Sequence, residues 1–179
     1  MNKRVVVIST SPRLGGNSDL LAEEFARGAT DAGNQVEKIT LAGKSIGFCR
    51  GCLACQNTRR CVISDDAGSI VEKMLTADVI AFATPIYYYE MSGQMKTMLD
   101  RSNPLFTADY AFRDIYMLST AAEDGAEVPE RAVSGLQGWI NCYEQARLAG
   151  TVFGGGVNER GEIRQHPEKL REAYEMGRA

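Results

Sequence analysis

Arg4-Val5-Val6-Val7-Ile8-Ser9-Thr10-Ser11-Pro12-Arg13-Leu14-Gly15-Gly16-Asn17-Ser18 carries an apolar run through a hydroxyl-rich turn into the start of a helix. Val5 to Ile8 has the pattern of a strand buried on both faces. Beyond it, the hydroxyls of Ser9, Ser11 and Ser18, the Asn17 amide, the turn's free backbone N–H groups and the positive helix end can converge on one dianion, and Arg13 adds a charged fork. A dinucleotide loop would read G-x-G-x-x-G with an acidic residue about 20 positions on, and a triphosphate loop would end in Gly-Lys-Ser/Thr. Neither pattern is present, so the turn suits a terminal monophosphate. A Pro/Gly turn capped by Asn17 or Ser18 explains the helix start but leaves the other polar groups and Arg13 without a role.

The 179 residues suit one domain, 1–179, with a Cys-rich loop at 47–64. A net charge of -3 gives no sign of a nucleic-acid surface. The chain passes from Met1-Asn2-Lys3-Arg4 directly into a strand and has no apolar run near the roughly 18 residues of a membrane span, which leads us to expect a soluble cytoplasmic protein without membrane partners.

Strands and helices alternate along the rest of the chain. Asp19 to Ala32 has helical apolar spacing and stops at Gly33, Val36 to Leu41 reads as a strand, and Asp65 or Asp66 can cap a helix through Ile70, Val71, Met74 and Leu75. Val79 to Ala83 is apolar throughout, as a central strand would be. Ser92 can cap a helix to Arg101, a strand follows at Ile115 to Ser119, and a longer helix is expected through Val133, Leu136, Trp139, Ile140 and Tyr143 to Gly150. Thr151 to Phe153 makes a fifth strand, and Pro167 opens a final helix. This alternation implies an α/β doubly wound five-stranded parallel sheet. In such a sheet ligands bind beyond the strands' carboxyl ends, so the loop Thr84-Pro85-Ile86-Tyr87-Tyr88-Tyr89 should share a site with the first loop. Its tyrosines offer flat rings to a planar heterocycle, while Tyr89 equally suits a cover over the sheet end or a subunit interface.

The segments S-x-S-P-R-x-x-G-N-S at Ser9 to Ser18 and P-x-Y-x-x-x-x-S-x-Q-x-K-x-x-x-D-R at Pro85 to Arg101 resemble the NADPH-dependent FMN reductase branch of the flavodoxin-like superfamily. The resemblance extends over nearly the whole chain, including Gly154-Gly155-Gly156 and Gly161-Glu162-Ile163. It implies strand order 2-1-3-4-5 and non-covalent FMN. The phosphate would lie on Ser9, Ser11, Arg13, Asn17 and Ser18, with Pro12 and Gly16 in the same turn. The isoalloxazine would lie on Pro85, Ile86, Tyr87 and Tyr88, closed by Thr120, Ala121, Ala122 and Glu123. Thr10 stands where relatives usually carry glycine.

Cys49, Cys52, Cys55 and Cys61 form C-x2-C-x2-C-x5-C. The first three have the compact spacing of a [4Fe–4S] cluster, whereas zinc sites usually pair two knuckles across a longer loop. Val62 stands where bacterial ferredoxins place proline. The spacing resembles the iron–sulfur flavoproteins of the same family, and Arg50, Arg59 and Arg60 would offset a cluster's negative charge. Redox-active or free thiols account for the segment equally well. Cys142, beside Trp139 and Tyr143, reads as a buried core cysteine.

His166 reads as flanking a helix start, and Asp100 with Arg101 as a local ion pair. Asp109, Asp114, Glu123 and Asp124 make no acid–base pair, and no G-x-S-x-G is present. No catalytic side chain is therefore expected. The resemblance implies NAD(P)H as donor, FMN as carrier and a quinone, flavin or other small acceptor. The alternatives are a cluster-bearing electron carrier reduced by ferredoxin, or a hydrolase or regulatory domain on the same sheet. A homodimer or homotetramer is the expected assembly, with Tyr88, Tyr89, Phe106, Tyr110 and Phe112 available for the subunit contact.

Overall fold

The apolar run of the first segment occupies the middle of the molecule. In the computed structural model, which describes residues Asn2 to Ala179, Val5 to Ser9 of strand β1 (Arg4–Ser9) are all buried. β1 pairs in parallel with β2 (Gln35–Thr40) on one side and β3 (Val79–Tyr87) on the other. β5 (Asp114–Thr120) and β6 (Arg147–Gly154) continue the sheet, also in parallel. The resulting order β2-β1-β3-β5-β6 is the flavodoxin-like order, with the switch point between β1 and β3.

One strand has no counterpart in the sequence reading. β4 (Glu90–Met91) folds back antiparallel onto the end of β3 through Ile86 opposite Met91 and Tyr87 opposite Glu90. The turn between them is Tyr88-Tyr89, both at positive φ (51° and 65°). Such two-residue turns usually announce themselves by Asn-Gly or Asp-Gly. Two tyrosines give no such signal.

Helices cover both faces. α1 (Asn17–Asp31) and α6 (Pro167–Arg178) bury Leu21, Phe25 and Ala173 over Val5, Val7, Ala81, Leu118 and Val152. On the opposite face, α3 (Asp66–Thr76), α4 (Gly93–Arg101) and α5 (Glu130–Ile140) cover Val6, Ile8, Ile80, Phe82 and Met117. The short α2 (Ala54–Thr58) lies within the Cys-rich segment. Asp65 and Ser92 cap α3 and α4 by accepting the N–H groups of Ala67 and Met95.

The helix expected to run to Gly150 stops at Ile140. Its last apolar residues continue in i to i+3 turns, with the N–H of Tyr143 donating to Ile140 O, so the helical spacing of Trp139, Ile140 and Tyr143 persists beyond the helix. Gly150 lies inside β6, where a Cβ would come within 3.0 Å of Met176. Phe112, expected at a subunit contact, is fully buried and stacks with Tyr110 and Trp139.

α1 and α6 approach until backbone meets backbone. A Cβ on Gly28 would lie 2.0 Å from Tyr174 O, and one on Gly177 would lie 2.1 Å from Phe25 O. No side-chain rotation relieves either collision. Gly28→Ala is expected to cost about 1–3 kcal/mol, the usual range for overpacking. Urea unfolding of Gly28→Ala beside Gly33→Ala, which meets no neighbour but has a φ of +86°, separates steric from backbone cost; an unchanged midpoint for Gly28→Ala would contradict the packing.

Candidate functional site

β1, β3 and β5 end at one edge of the sheet, and their loops enclose an elongated cleft. One end, about 130 Å³, is lined by Ser11, Arg13, Gly16, Asn17 and Ser18 from the first loop, with Pro85, Ile86, Tyr87, Thr120, Ala121 and Ala122 from the other two. The other end, about 330 Å³, shares Ile86, Tyr87, Ala121 and Ala122 and adds Tyr88, Tyr89, Glu123 and Val128. The residues named for the phosphate and for the ring thus meet from separate parts of the chain. Ser9 and Pro12 do not line the cleft. Ser9 is fully buried beside Asp19, where its hydroxyl lacks a well-formed hydrogen bond, and Pro12 is exposed. The strand's alternation turns Ser9 to the α1 face while Thr10 faces α4.

The first loop is held in shape by its own groups. Ser11 Oγ donates to Arg13 O at 2.8 Å, and the Gly15 N–H donates to Asp19 Oδ2 at 2.8 Å. Gly15 sits at a φ of +65°, and a Cβ on Gly16 would meet Ser11 Oγ at 2.7 Å and Arg13 O at 2.9 Å. Gly16 precedes α1 without a side-chain cap, so the first-turn amides remain open to an anion. Among the described residues Arg13 is the only formally charged side chain lining that end, and no carboxylate does. A small donor-rich pocket of this kind fits a phosphate monoester.

Asp19 supports the loop from below. Burial pushes its carboxyl up, but Lys38 at 2.8 Å and the Gly15 N–H outweigh that and hold it below the ordinary value of 3.8. Thr10 also has a structural task. Its hydroxyl donates to Ala83 O at 2.9 Å and lies 3.0 Å from Ser92 Oγ, tying the first loop to the start of α4.

Three features escaped the sequence reading. The Asn17 side chain does not reach into the cleft as a free donor. Its Nδ2 donates to Glu159 O and its Oδ1 accepts from the Ile163 N–H, stapling segment 158–163 against α1. That segment brings Val157 and Asn158 to the cleft, and Asn158 O accepts from Arg13 at 3.4 Å. Glu123, expected to close the ring side of the site, also accepts the Tyr89 hydroxyl at 2.6 Å, a bond without a sequence signal that raises the phenol's pKa. The glycines 154–156 and 161 hinted that the chain turns here, but not toward what.

A second cavity of about 470 Å³ lies beside α4 and α5. All four loop cysteines line it, together with Arg50, Arg101 and Trp139. Cys142 lines it too and is exposed, which corrects its reading as a core cysteine: α5 ends before Cys142, so the helical face that would have buried it is absent. The Gly51 N–H donates to Cys49 Sγ at 3.4 Å, and Asn103 Nδ2 donates to Cys55 Sγ at 3.1 Å. Among the described residues no three Cys, His or carboxylate groups are drawn together tightly enough to hold a single metal ion. The four thiols instead line one cavity, and four cysteines are the donor set that an iron–sulfur cluster takes. Asp100 and Arg101 are not paired with each other. Lys96 takes Asp100 at 2.7 Å, one helical turn away, and Arg101 pairs with Asp65.

His166 stands immediately before α6, as expected. Among the described residues no helix is long and apolar enough to cross a membrane.

Comparison with known proteins agrees with this geometry. The chain is 40% identical over 102 residues to an iron–sulfur flavoprotein of Methanocaldococcus jannaschii, an alignment covering 57% of this chain and 53% of that protein, so the chain spans about half of that relative's length. It is 26% identical over 157 residues to an iron–sulfur flavoprotein of Methanosarcina thermophila, covering 86% and 81% of the two chains. Among solved structures, the NAD(P)H:quinone oxidoreductase of Methanothermobacter marburgensis superposes with a TM-score of 0.77 over 99% of this chain and 96% of its own, at 17% identity, a likeness of fold. The family model described as NADPH-dependent FMN reductase matches residues 3–154, and with the sheet order and the cleft beyond β1, β3 and β5 already in place, the chain belongs to the NADPH-dependent FMN reductase family.

Proposed function

We propose that the protein is an NAD(P)H-dependent FMN oxidoreductase that passes electrons from a reduced nicotinamide to a quinone, a flavin or another small acceptor. The observation that carries this reading is the single cleft that joins a carboxylate-free, donor-rich end on Ser11, Arg13 and Ser18 to an apolar end on Ile86, Tyr87 and Ala121. When bound, FMN supplies the hydride- and electron-accepting chemistry. The chain's own part is binding and orientation. The first-turn amides of α1, with Ser18 and Arg13, oppose the phosphate charge, and Gly16 lets the backbone approach it. Pro85, Ile86, Tyr87, Thr120, Ala121 and Ala122 line the space for a planar ring, and the Tyr89–Glu123 bond ties the loops after β3 and β5 together beside it.

The thiol cavity favours a second reading, an electron carrier reduced by ferredoxin with a [4Fe–4S] cluster on Cys49, Cys52, Cys55 and Cys61. Two of those sulfurs already accept N–H donors, and the curated relatives named above are iron–sulfur flavoproteins. Anaerobic purification followed by flavin, iron and acid-labile sulfide assays, then stopped-flow reduction with NADPH against reduced ferredoxin, separates the two. Flavin without iron and rapid reduction by NADPH is the result expected of the first reading. Flavin with about four irons per chain, reduced by ferredoxin and not by NADPH, establishes the second. Protein that takes up no flavin overturns both. A homodimer or homotetramer would place a neighbouring loop over the exposed Tyr88, and light scattering after size exclusion measures it.

A further inference from the structure

A fully buried charge lies outside the flavin cleft. The side chain of Arg101, at the end of α4, has no solvent exposure. Its Nη1 donates to Gly47 O at 2.7 Å and to Asp65 Oδ2 at 2.6 Å, and its Nη2 donates to Ile63 O at 3.3 Å and to Asp65 Oδ1 at 2.8 Å. Gly47 and Ile63 stand at the two ends of the Cys-rich segment, so one guanidinium closes that segment into a ring. These bonds use all four η protons of the guanidinium. The remaining N–H, on Nε, is buried and meets no acceptor. Leaving such a donor unpaired is costly, and native interiors hold few of them. Arg101 lines the same cavity as the four loop cysteines, with Cys61 beside its guanidinium but outside hydrogen-bond geometry at Nε.

We propose that Arg101 is a positioning residue of the thiol cavity: its η nitrogens fix both ends of the cysteine loop, and its Nε–H donates to Cys61 Sγ once that sulfur ligates the group the cysteines hold. This role presupposes that the thiols hold a cluster, the second reading above. The anchoring explains how a segment with few buried residues keeps its four thiols around one space. The spare donor explains why the site uses arginine. Lysine would match its charge but has neither the planar fork nor a donor at that point. An N–H bond to a cluster sulfur stabilises the more negative, reduced state and raises the reduction potential.

The test uses the full FMN-loaded chain, reconstituted anaerobically with iron and sulfide, as wild type and as Arg101→Lys. Arg101→Lys is expected to retain the wild-type FMN content and to hold either less cluster or a cluster with a more negative midpoint potential. Equal cluster content at an equal potential overturns the proposal. A second measurement needs no variant: the Arg101 Nε–H resonance in 15N spectra of wild-type protein before and after loading with Cd2+, a diamagnetic thiol-seeking probe. Displacement of that resonance with slower solvent exchange supports the role even if Arg101→Lys fails to fold, and an unmoved resonance in protein whose thiols hold cadmium by metal analysis overturns it. Wild-type protein that binds FMN but takes up no iron or sulfide defeats the cluster reading and this role of Arg101 with it, whereas cluster-loaded protein with an unchanged Arg101→Lys phenotype overturns the role alone.

Discussion

Asp65→Ala is expected to lower the unfolding free energy by about 3–5 kcal/mol, the cost of stranding one partner of a buried ion pair. Asp65 takes both forks of Arg101 at 2.6 and 2.8 Å, and the two side chains are 9% and 0% exposed. The same carboxylate caps α3 through the Ala67 N–H and holds the Gly47 N–H at 2.8 Å. Alanine would leave the Arg101 charge with only two carbonyls for company. Urea unfolding at neutral pH measures the loss, and a change below about 1 kcal/mol, typical of an exposed pair, would show that the pair is not buried in solution.

The pH dependence follows from the same contact. The Arg101 hydrogen bonds, helped by the Gly47 and Ala67 N–H groups, hold the Asp65 carboxyl below its ordinary value of 3.8 against the opposing effect of burial. The unfolded chain therefore binds this proton more readily than the folded one. The resulting stability is fully present above 3.8 and is lost as the pH falls through the lower folded value. Asp65→Asn, which can still cap α3, should flatten that acid limb while lowering stability at pH 7. A limb of unchanged slope would assign the acid transition to other carboxylates, Asp19 first among them.

Gly16→Val is expected to weaken FMN binding by roughly 10- to 100-fold, equivalent to one or two lost hydrogen bonds to a charged group. Any Cβ at this position enters the space of Ser11 Oγ and Arg13 O, so the turn must open and carry its donors away from the phosphate. Gly16 precedes α1, and the helix core of Leu21 and Phe25 is untouched. The variant should therefore stay folded by circular dichroism and lose flavin on dialysis. Flavin affinity equal to wild type would remove the first loop from the binding site.

The legible parts of this protein are those whose cause is local. Val5 to Ile8 and Val79 to Ala83 read as central strands because a run of apolar residues on both faces has no other soluble home. Asp65 and Ser92 read as caps because a side-chain oxygen before an apolar-periodic stretch satisfies the helix's open amides. Ser11, Gly16 and Ser18 read as a phosphate turn by their place between β1 and α1, and they do line the cleft.

What remained illegible depends on partners that the chain brings in from afar. Ser9 carries the same hydroxyl as Ser11, but the pleat of β1 turns it inward to Asp19. Arg101 adjoins Asp100 in sequence, yet it pairs with Asp65, 36 positions away, because the end of α4 packs against the start of α3. Asn17 spends its side chain on Glu159 and Ile163, and Cys142 joins the loop thiols only because α5 ends two residues earlier. The sequence by itself determined the alternation of strands and helices, hence a parallel sheet and the two loops that meet beyond it, since short-range periodicity and capping act within a few residues of their cause; the strand order came only with the family resemblance. Only the tertiary structure decided which side chains face the cleft and which charge meets which, because those choices are fixed by how the helices lie across the sheet.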